Sequence, residues 1–274
     1  MVKILYGDVI AQELSKELKL NCEHWKPQMA VVIVGKDYGS LQYVKQIEKK
    51  ASALSVTVKR VDLPETISQE DLTKEIVLLN QDKNIAGIIL QMPLPKSIDS
   101  QKIIEVIAPA KDLDGLHPYN LGRLFAGQPS LVPCTAAAVM RLLAYYEIPV
   151  AGKNVVIVGR SLAVGKPLAA LMINDHATVT ICHSKSESLF EITKKADIIV
   201  CAIGRGKFFD AKYFSAKSIV IDVGINNDDE GICGDVAYSQ VVDIVAAITP
   251  VPKGVGSLTI ITLMENLLAA AKNK

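Results

Sequence analysis

Lys153–Ile173 reads KNVVIVGRSLAVGKPLAALMI, and the order of residue types along it decides the fold. A short apolar run rich in β-branched residues predicts a buried strand, Gly159 to Gly165 predicts a turn, and the residues after it follow a helical pattern. A strand running through a glycine turn into a helix offers backbone N–H groups and a helix N-terminus to a pyrophosphate. The spacing G-x-x-x-x-x-G is not the dinucleotide fingerprint G-x-G-x-x-G. On its own the turn is therefore ambiguous, because glycine also serves wherever φ must be positive.

The next strand narrows the reading. NAD-binding chains carry Asp or Glu at its end, about 20 residues on, to hold the ribose hydroxyls. Here TVTIC (178–182) ends in Cys182-His183-Ser184-Lys185, a hydroxyl and a positive charge, and Arg160 directly follows the first glycine. Arg160, Ser184 and Lys185 suit a 2′-phosphate, which favours NADP; Glu187 argues the other way.

The same alternation extends in both directions. Downstream, DIIVCAIG (197–204) and SIVIDVGIN (218–226) read as further strands. Upstream, MAVVIVG (29–35), VTVKRVDL (56–63) and AGIILQM (86–92) alternate with helical patterns over 40–54 and 69–82, the first with Leu41, Val44, Ile47, Ala51 and Leu54 on one side. TAAAVMRLLAYYE (135–147) and the final TIITLMENLLAAAKNK also read as helices, whereas 110–133, rich in Gly, Pro and polar residues, reads as a domain boundary or a set of functional loops. The expectation is an α/β fold of two α/β domains, the second a Rossmann-type doubly wound parallel sheet.

Composition excludes several other classes. Of 274 residues 50% are hydrophobic and 22% charged, the balance of a globular chain. Thirty basic residues against twenty-nine acidic ones leave a net charge of +1, so neither nucleic acid nor an anionic membrane is expected as a partner. The N-terminus lacks a signal-peptide pattern, and no run of about 18 uninterrupted apolar residues suggests a membrane span. Five scattered cysteines without a C-x-x-C pair suit a reduced cytoplasm, and the four histidines lack metal-ligand spacing.

QMPLP (91–95), KDLDGLHPYNLGRL (111–124), GRSLAVGKPLA (159–169), IDVGIN (221–226), GDV (234–236) and TPVPKGVG (249–256) occur in that order. With these motifs the chain resembles the methylenetetrahydrofolate dehydrogenase/methenyltetrahydrofolate cyclohydrolase family from about residue 3 to the last helix. The resemblance implies a homodimer of two-domain subunits, with residues 1–115 plus 257–274 holding folate, 116–256 holding NADP, and a cleft between the two. It further implies that Tyr43 stacks on the folate's aromatic portion, Gln91 faces the one-carbon centre and Asp114 binds the pterin. Gly159, Arg160, Ser161, Gly165, Ser184, Lys185 and Ile225 would line the dinucleotide.

Each assignment has a plainer rival. Asp114 could cap a turn, Gln91 could satisfy backbone groups at a strand end, and Tyr43 shares a helical stripe with Ile47 and Leu54. His117 and His183 receive no essential role.

The departures from the family pattern are specific. The family's first helix carries Ser-x-x-Tyr-x-x-x-Lys, with the lysine serving the cyclohydrolase step; this chain has Ser40, Tyr43 and then Ile47. Lys45 and Lys49 fall about 200° and 240° around the helix from Tyr43, so neither is a direct substitute. Ala136 and Ala138 replace a Pro and a Gly after Pro133-Cys134-Thr135, Lys253 replaces a Gly, and Ser257 replaces a Pro. The expectation is a dehydrogenase whose cyclohydrolase activity is weak, absent or differently built. A fully bifunctional enzyme with a rearranged site, a non-catalytic paralogue binding NADP or folate, and a Rossmann dehydrogenase of another substrate remain alternatives.

Overall fold

The apolar runs expected to be strands are strands in the computed structural model, which describes residues 2–128, 130–229 and 231–273. The chain opens with β1 (Lys3–Ile4) and α1 (Gly7–Trp25) and folds as two units. One comprises Met1–Glu13, Leu124–Gln128 and Pro133–Thr262; the other Leu14–Arg123, Pro129–Val132 and Leu263–Lys274.

The unit that holds Leu14–Arg123 is built on β2 (Gln28–Val34), the centre of a three-stranded parallel sheet. After it come α2 (Tyr38–Ala53), β3 (Thr57–Leu63), α3 (Gln69–Gln81), β4 (Ile85–Leu90), α4 (Ser100–Val106) and α5 (Pro118–Phe125). β2 pairs with β3 on one side and β4 on the other. Every residue of β4 is buried, as expected for a strand covered on both faces. Both long helices begin at side-chain caps: Asp37 accepts from Ser40 N on α2, and Ser68 accepts from Asp71 N on α3. On α3 the buried residues Leu72, Ile76 and Leu79 recur at helical spacing and join Val32, Ile88 and Ile103 in one core.

The other unit holds α6 (Cys134–Tyr145), β5 (Asn154–Val158), α7 (Gly165–Asn174), β6 (Thr178–Cys182), α8 (Leu189–Lys194), β7 (Ile198–Cys201) and β8 (Ile219–Asp222). Beyond β8 come an antiparallel hairpin, β9 (Asn226–Asp228) and β10 (Gly231–Cys233), then α9 (Tyr238–Val241) and β11 (Ala247–Ile248). The last element is α10 (Val255–Lys272). The sheet order is β1-β11-β8-β7-β5-β6, all parallel. β5 is followed by β6 on one side and β7 on the other, the reversal at which doubly wound sheets open a ligand crevice.

Three features differ from the sequence expectation. The stretch 110–133 is not all loop: Pro118–Phe125 is helical, with Pro at the first position where its missing N–H costs nothing. The strand expected over 218–226 stops at Asp222, and Asn226–Asp228 turns back into the hairpin. The first residues group with the Rossmann-type sheet because Lys3 and Ile4 pair with Ala247 and Ile248. α10 is long and apolar enough by length and composition to cross a membrane, but Leu258, Ile261, Leu263, Met264 and Leu267 on it are wholly buried within the protein.

Candidate functional site

In the unit built on β2, the expected folate residues attach to the end of β4. Gln91 directly follows that strand; its N–H donates to Val32 O at 2.9 Å and its side chain is buried. Ser40 Oγ lies 2.8 Å from both the next carbonyl, Met92 O, and Asp37 Oδ2, and its single proton serves one of these acceptors at a time. Ser40 thus fastens the first turn of α2 beside Gln91. Tyr43 is one turn along α2 and half-buried, whereas Ile47, one turn further, is wholly buried. A hydrocarbon side chain fills the position where the family pattern puts an amine.

Asp114 is positioned by the residues before it. Lys111 Nζ donates to the carbonyls of Leu79, Asn80 and Asp82, which satisfies the C-terminal end of α3 with a cation. Asp112 forms a bridge with Ile88, and its carboxylate accepts from His117 N at 2.7 Å and Asn120 Nδ2 at 3.1 Å. Leu113 N donates to Ile88 O, and its side chain takes the space a Cβ at Gly87 would need. Asn266 Nδ2 on α10 holds Leu113 O at 2.9 Å. Asp114 therefore emerges from a braced segment, with part of its surface in solvent. Burial of its carboxyl, reinforced by the neighbouring Asp112 carboxylate, pushes its pKa up to about 7. His117 is committed locally: its Nδ1 accepts from Tyr119 N, so its Nε2 carries the proton toward Glu105 O.

One cation on α2 escaped the sequence reading. Lys50 is seven residues from Tyr43, back on its stripe after two turns. Its Nζ donates to Ser15 Oγ at 3.1 Å, and burial lowers its pKa below the ordinary lysine value.

In the Rossmann-type unit, glycine is required twice in the turn after β5. Gly159 has φ +133°, and a Cβ there would strike the carbonyl oxygen of Ala202; a Cβ on Gly165 would strike that of Gly159. The turn is closed by Ser161, whose Oγ accepts from Val164 N and whose carbonyl accepts from Lys166 N. Gly159 N donates to Cys182 O, which joins this turn to the end of β6. There His183 N donates to Ser186 Oγ and Lys185 N to His183 Nδ1, leaving Ser184 and Lys185 exposed. Arg160 and Ser161 are exposed as well. The arrangement fits an NADP: backbone close enough for a pyrophosphate where no side chain intrudes, with a guanidinium, a hydroxyl and an ammonium on the neighbouring loops. Ile225, just past β8, is 67% exposed, and a Cβ on Gly256 would lie 3.2 Å from its Cδ1.

The sequence reading also passed over the acidic residues of IDVGIN and GDV. Asp222 and Asp235 are both buried and both bonded to backbone N–H groups. Burial, with the Asp235 carboxylate nearby, raises the Asp222 pKa to about 7. Lys253 is exposed and holds φ +83°, a left-handed conformation unusual for a side-chain-bearing residue, while its carbonyl accepts from Gly7 N and Asp8 N.

Comparison with known proteins covers both units. Residues 5–114 match the family described as tetrahydrofolate dehydrogenase/cyclohydrolase, catalytic domain, and residues 133–274 its NAD(P)-binding domain. The chain is 45% identical to the Bifunctional protein FolD of Enterococcus faecalis over 100% of both chains. Among solved structures, the bifunctional FolD methylenetetrahydrofolate dehydrogenase/cyclohydrolase of Campylobacter jejuni superposes with a TM-score of 0.97 at 38% identity, covering 100% of this chain and 99% of the other. The Trypanosoma brucei methylenetetrahydrofolate dehydrogenase-cyclohydrolase, solved with NADP and an inhibitor, gives 0.93 at 34% identity over 99% and 98%.

Proposed function

The chain belongs to the tetrahydrofolate dehydrogenase/cyclohydrolase family, and from that premise we propose that it oxidises 5,10-methylenetetrahydrofolate to 5,10-methenyltetrahydrofolate with NADP+ while hydrolysing the methenyl product poorly or not at all. The observation that carries the second half is Ile47, wholly buried one turn from Tyr43.

The two steps ask different things of the protein. Bound NADP+ supplies the hydride acceptor, and the folate's own nitrogen lone pair stabilises the cation left behind. The chain has mainly to hold two ring systems in register, so proximity and orientation dominate. Tyr43 stacks on the folate, Gln91 faces the one-carbon centre and Asp114 takes the pterin's N–H donors. Gly159, Ser161 and Gly165 hold the pyrophosphate, Arg160, Ser184 and Lys185 the 2′-phosphate, and Ile225 packs at the nicotinamide end. In this reading the unit that holds Leu14–Arg123 carries the folate and the Rossmann-type unit carries the NADP.

Hydrolysis needs more: a water must lose a proton as it attacks, and a well-placed base contributes roughly 10² to 10⁴-fold. A lysine amine can take that proton once its pKa is lowered, and an isoleucine cannot. A second reading keeps both steps through a relocated amine; the lowered pKa of Lys50 favours it. Separate assays of methenyl formation and methenyl hydrolysis on the wild type, Lys50→Met and Lys253→Ala test both readings. Hydrolysis at the buffer rate in all three supports the first, and hydrolysis above it in the wild type but lost in one variant supports the second.

The reading further includes a homodimer acting in the cytoplasm without nucleic acid or membrane. The near-zero net charge supports the absence of a polyanionic partner; light scattering on the purified protein tests the dimer.

A further inference from the structure

We propose that Asp235 is a positioning residue for the nicotinamide end of the dinucleotide site, an inference that rests on the NADP reading above. In an open parallel sheet the ligand sits against the loops that leave the carboxyl ends of the strands. After β7 that loop is Ala202–Lys207, and after β8 it is Val223–Ile225. Asp235 belongs to neither; it comes from the segment beyond the β9–β10 hairpin. Its side chain is wholly buried and bonds to the first of these loops and to Asn226, the residue that directly follows the second. Oδ2 accepts from Ile203 N at 2.6 Å and Gly204 N at 3.0 Å, and Oδ1 from Arg205 N at 2.8 Å. Three successive N–H groups of one loop therefore converge on one carboxylate. Oδ1 also accepts from Asn226 Nδ2 at 2.9 Å, the side chain next to Ile225.

The surroundings are shaped around this carboxylate. A Cβ at Gly224 would collide with Asp235 Oδ1, and one at Gly234 with Asp222 Oδ2. Asp222 in turn accepts from the N–H groups of Gly224, Asp235 and Val236, so it fixes the backbone that carries Asp235. The link continues to the glycine turn, because the residue before Ile203 is Ala202, whose carbonyl lies against Gly159. Asp235 thus sets one loop against the pyrophosphate turn and ties it to the residue beside Ile225. Three adjacent N–H groups left without an acceptor would have to turn outward to water, and the loop conformation would go with them.

A role confined to holding the domain together predicts something different, and the adenosine end of the coenzyme separates the two. The probe 2′,5′-ADP occupies the part of the site assigned to Arg160, Ser184 and Lys185 and reports nothing of the nicotinamide end. Asp235→Asn replaces one acceptor oxygen with an NH2 that faces N–H donors. Misplacement of a reacting group by about 1 Å costs about 10²-fold, so kcat for methylenetetrahydrofolate oxidation should fall by about tenfold to a hundredfold. The Kd for NADP+ should rise, and the Kd for 2′,5′-ADP should stay at the wild-type value.

An unchanged kcat in folded Asp235→Asn overturns the proposal, and so do NADP+ and 2′,5′-ADP affinities that weaken in step. Should that variant not fold, Asn226→Ala removes one donor and leaves the other three: kcat should fall several-fold with 2′,5′-ADP binding intact, and an unchanged kcat overturns the proposal. The binding comparison needs no folate, so a wild type without dehydrogenase activity would refute the functional reading while NADP+ against 2′,5′-ADP still decided the role of Asp235.

Discussion

Ile47 lies four residues beyond Tyr43 on α2, on the same side of the helix, and is wholly buried while Tyr43 keeps part of its surface in solvent. Residues four apart on a helix are neighbours. Tyr43, proposed to stack on the folate, and the position of the missing amine thus belong to one helix face, and the chain has kept the first without the second. Ser40 still fastens this helix to Met92 O, so the frame around the substitution is intact.

Restoring the lysine should restore the second step. Ile47→Lys is expected to raise methenyl hydrolysis at least about tenfold above the wild type, within the range a placed base contributes. Dehydrogenase turnover should change little. Placing an ammonium in a fully buried position costs stability, so the melting temperature should drop. Hydrolysis that stays at the wild-type rate in folded Ile47→Lys would show that more than this side chain is absent.

Coenzyme choice should rest on the loops around Gly159. A hydrogen bond to a charged group contributes about 1.5–3 kcal/mol, so Arg160→Ala should lower kcat/KM for NADP+ by about ten- to a hundredfold. NAD+ has no 2′-phosphate, and its kcat/KM should barely move. Equal losses with both coenzymes would assign Arg160 to the pyrophosphate instead.

Asp114 gives the reaction a pH dependence. With its pKa near 7, it is largely protonated below neutrality and ionised above. In the proposed role, only the ionised carboxylate accepts from two pterin N–H donors. kcat/KM for methylenetetrahydrofolate, which reports the free enzyme, should therefore rise as pH increases through about 7. In Asp114→Asn the profile should be lower and flat across that range. A wild-type profile that falls with rising pH through neutrality would contradict this role.

Gly159 should tolerate no side chain. Gly159→Ala brings a Cβ against Ala202 O at φ +133°; backbone strain of this kind costs about 1–3 kcal/mol. Thermal unfolding should occur at lower temperature, and NADP+ should bind more weakly. Wild-type coenzyme affinity in this variant would show that the turn can rearrange.

Much of this was legible in the residues. VVIV before Gly159, AGIIL before Gln91 and the stripe Val44, Ile47, Ala51 each have one period and one outcome. What was not legible depends on partners remote in sequence. β1 and β11 are two residues each, too short for a period, and exist because β11 pairs with β8 and β1 with β11. Pro118–Phe125 contains Gly122 and begins with Pro, so it reads as loop until its position is known. Asp235 is one letter in GDV; its four donors come from Ile203, Gly204, Arg205 and Asn226, which no spacing rule connects to it. Lys50 returns to the Tyr43 stripe only after two full turns, farther than the one-turn spacing that the family pattern prescribes.

In the proposed function one step of the family's chemistry is retained and the other is lost or weak. The most direct test is a paired assay on pure wild-type protein with methylenetetrahydrofolate and NADP+, following methenyl formation first and methenyl hydrolysis separately against the buffer blank. NADP+-dependent formation is expected with hydrolysis at the blank rate or far slower than methenyl formation; hydrolysis that keeps pace with methenyl formation, or no methenyl formation at all, overturns the proposal.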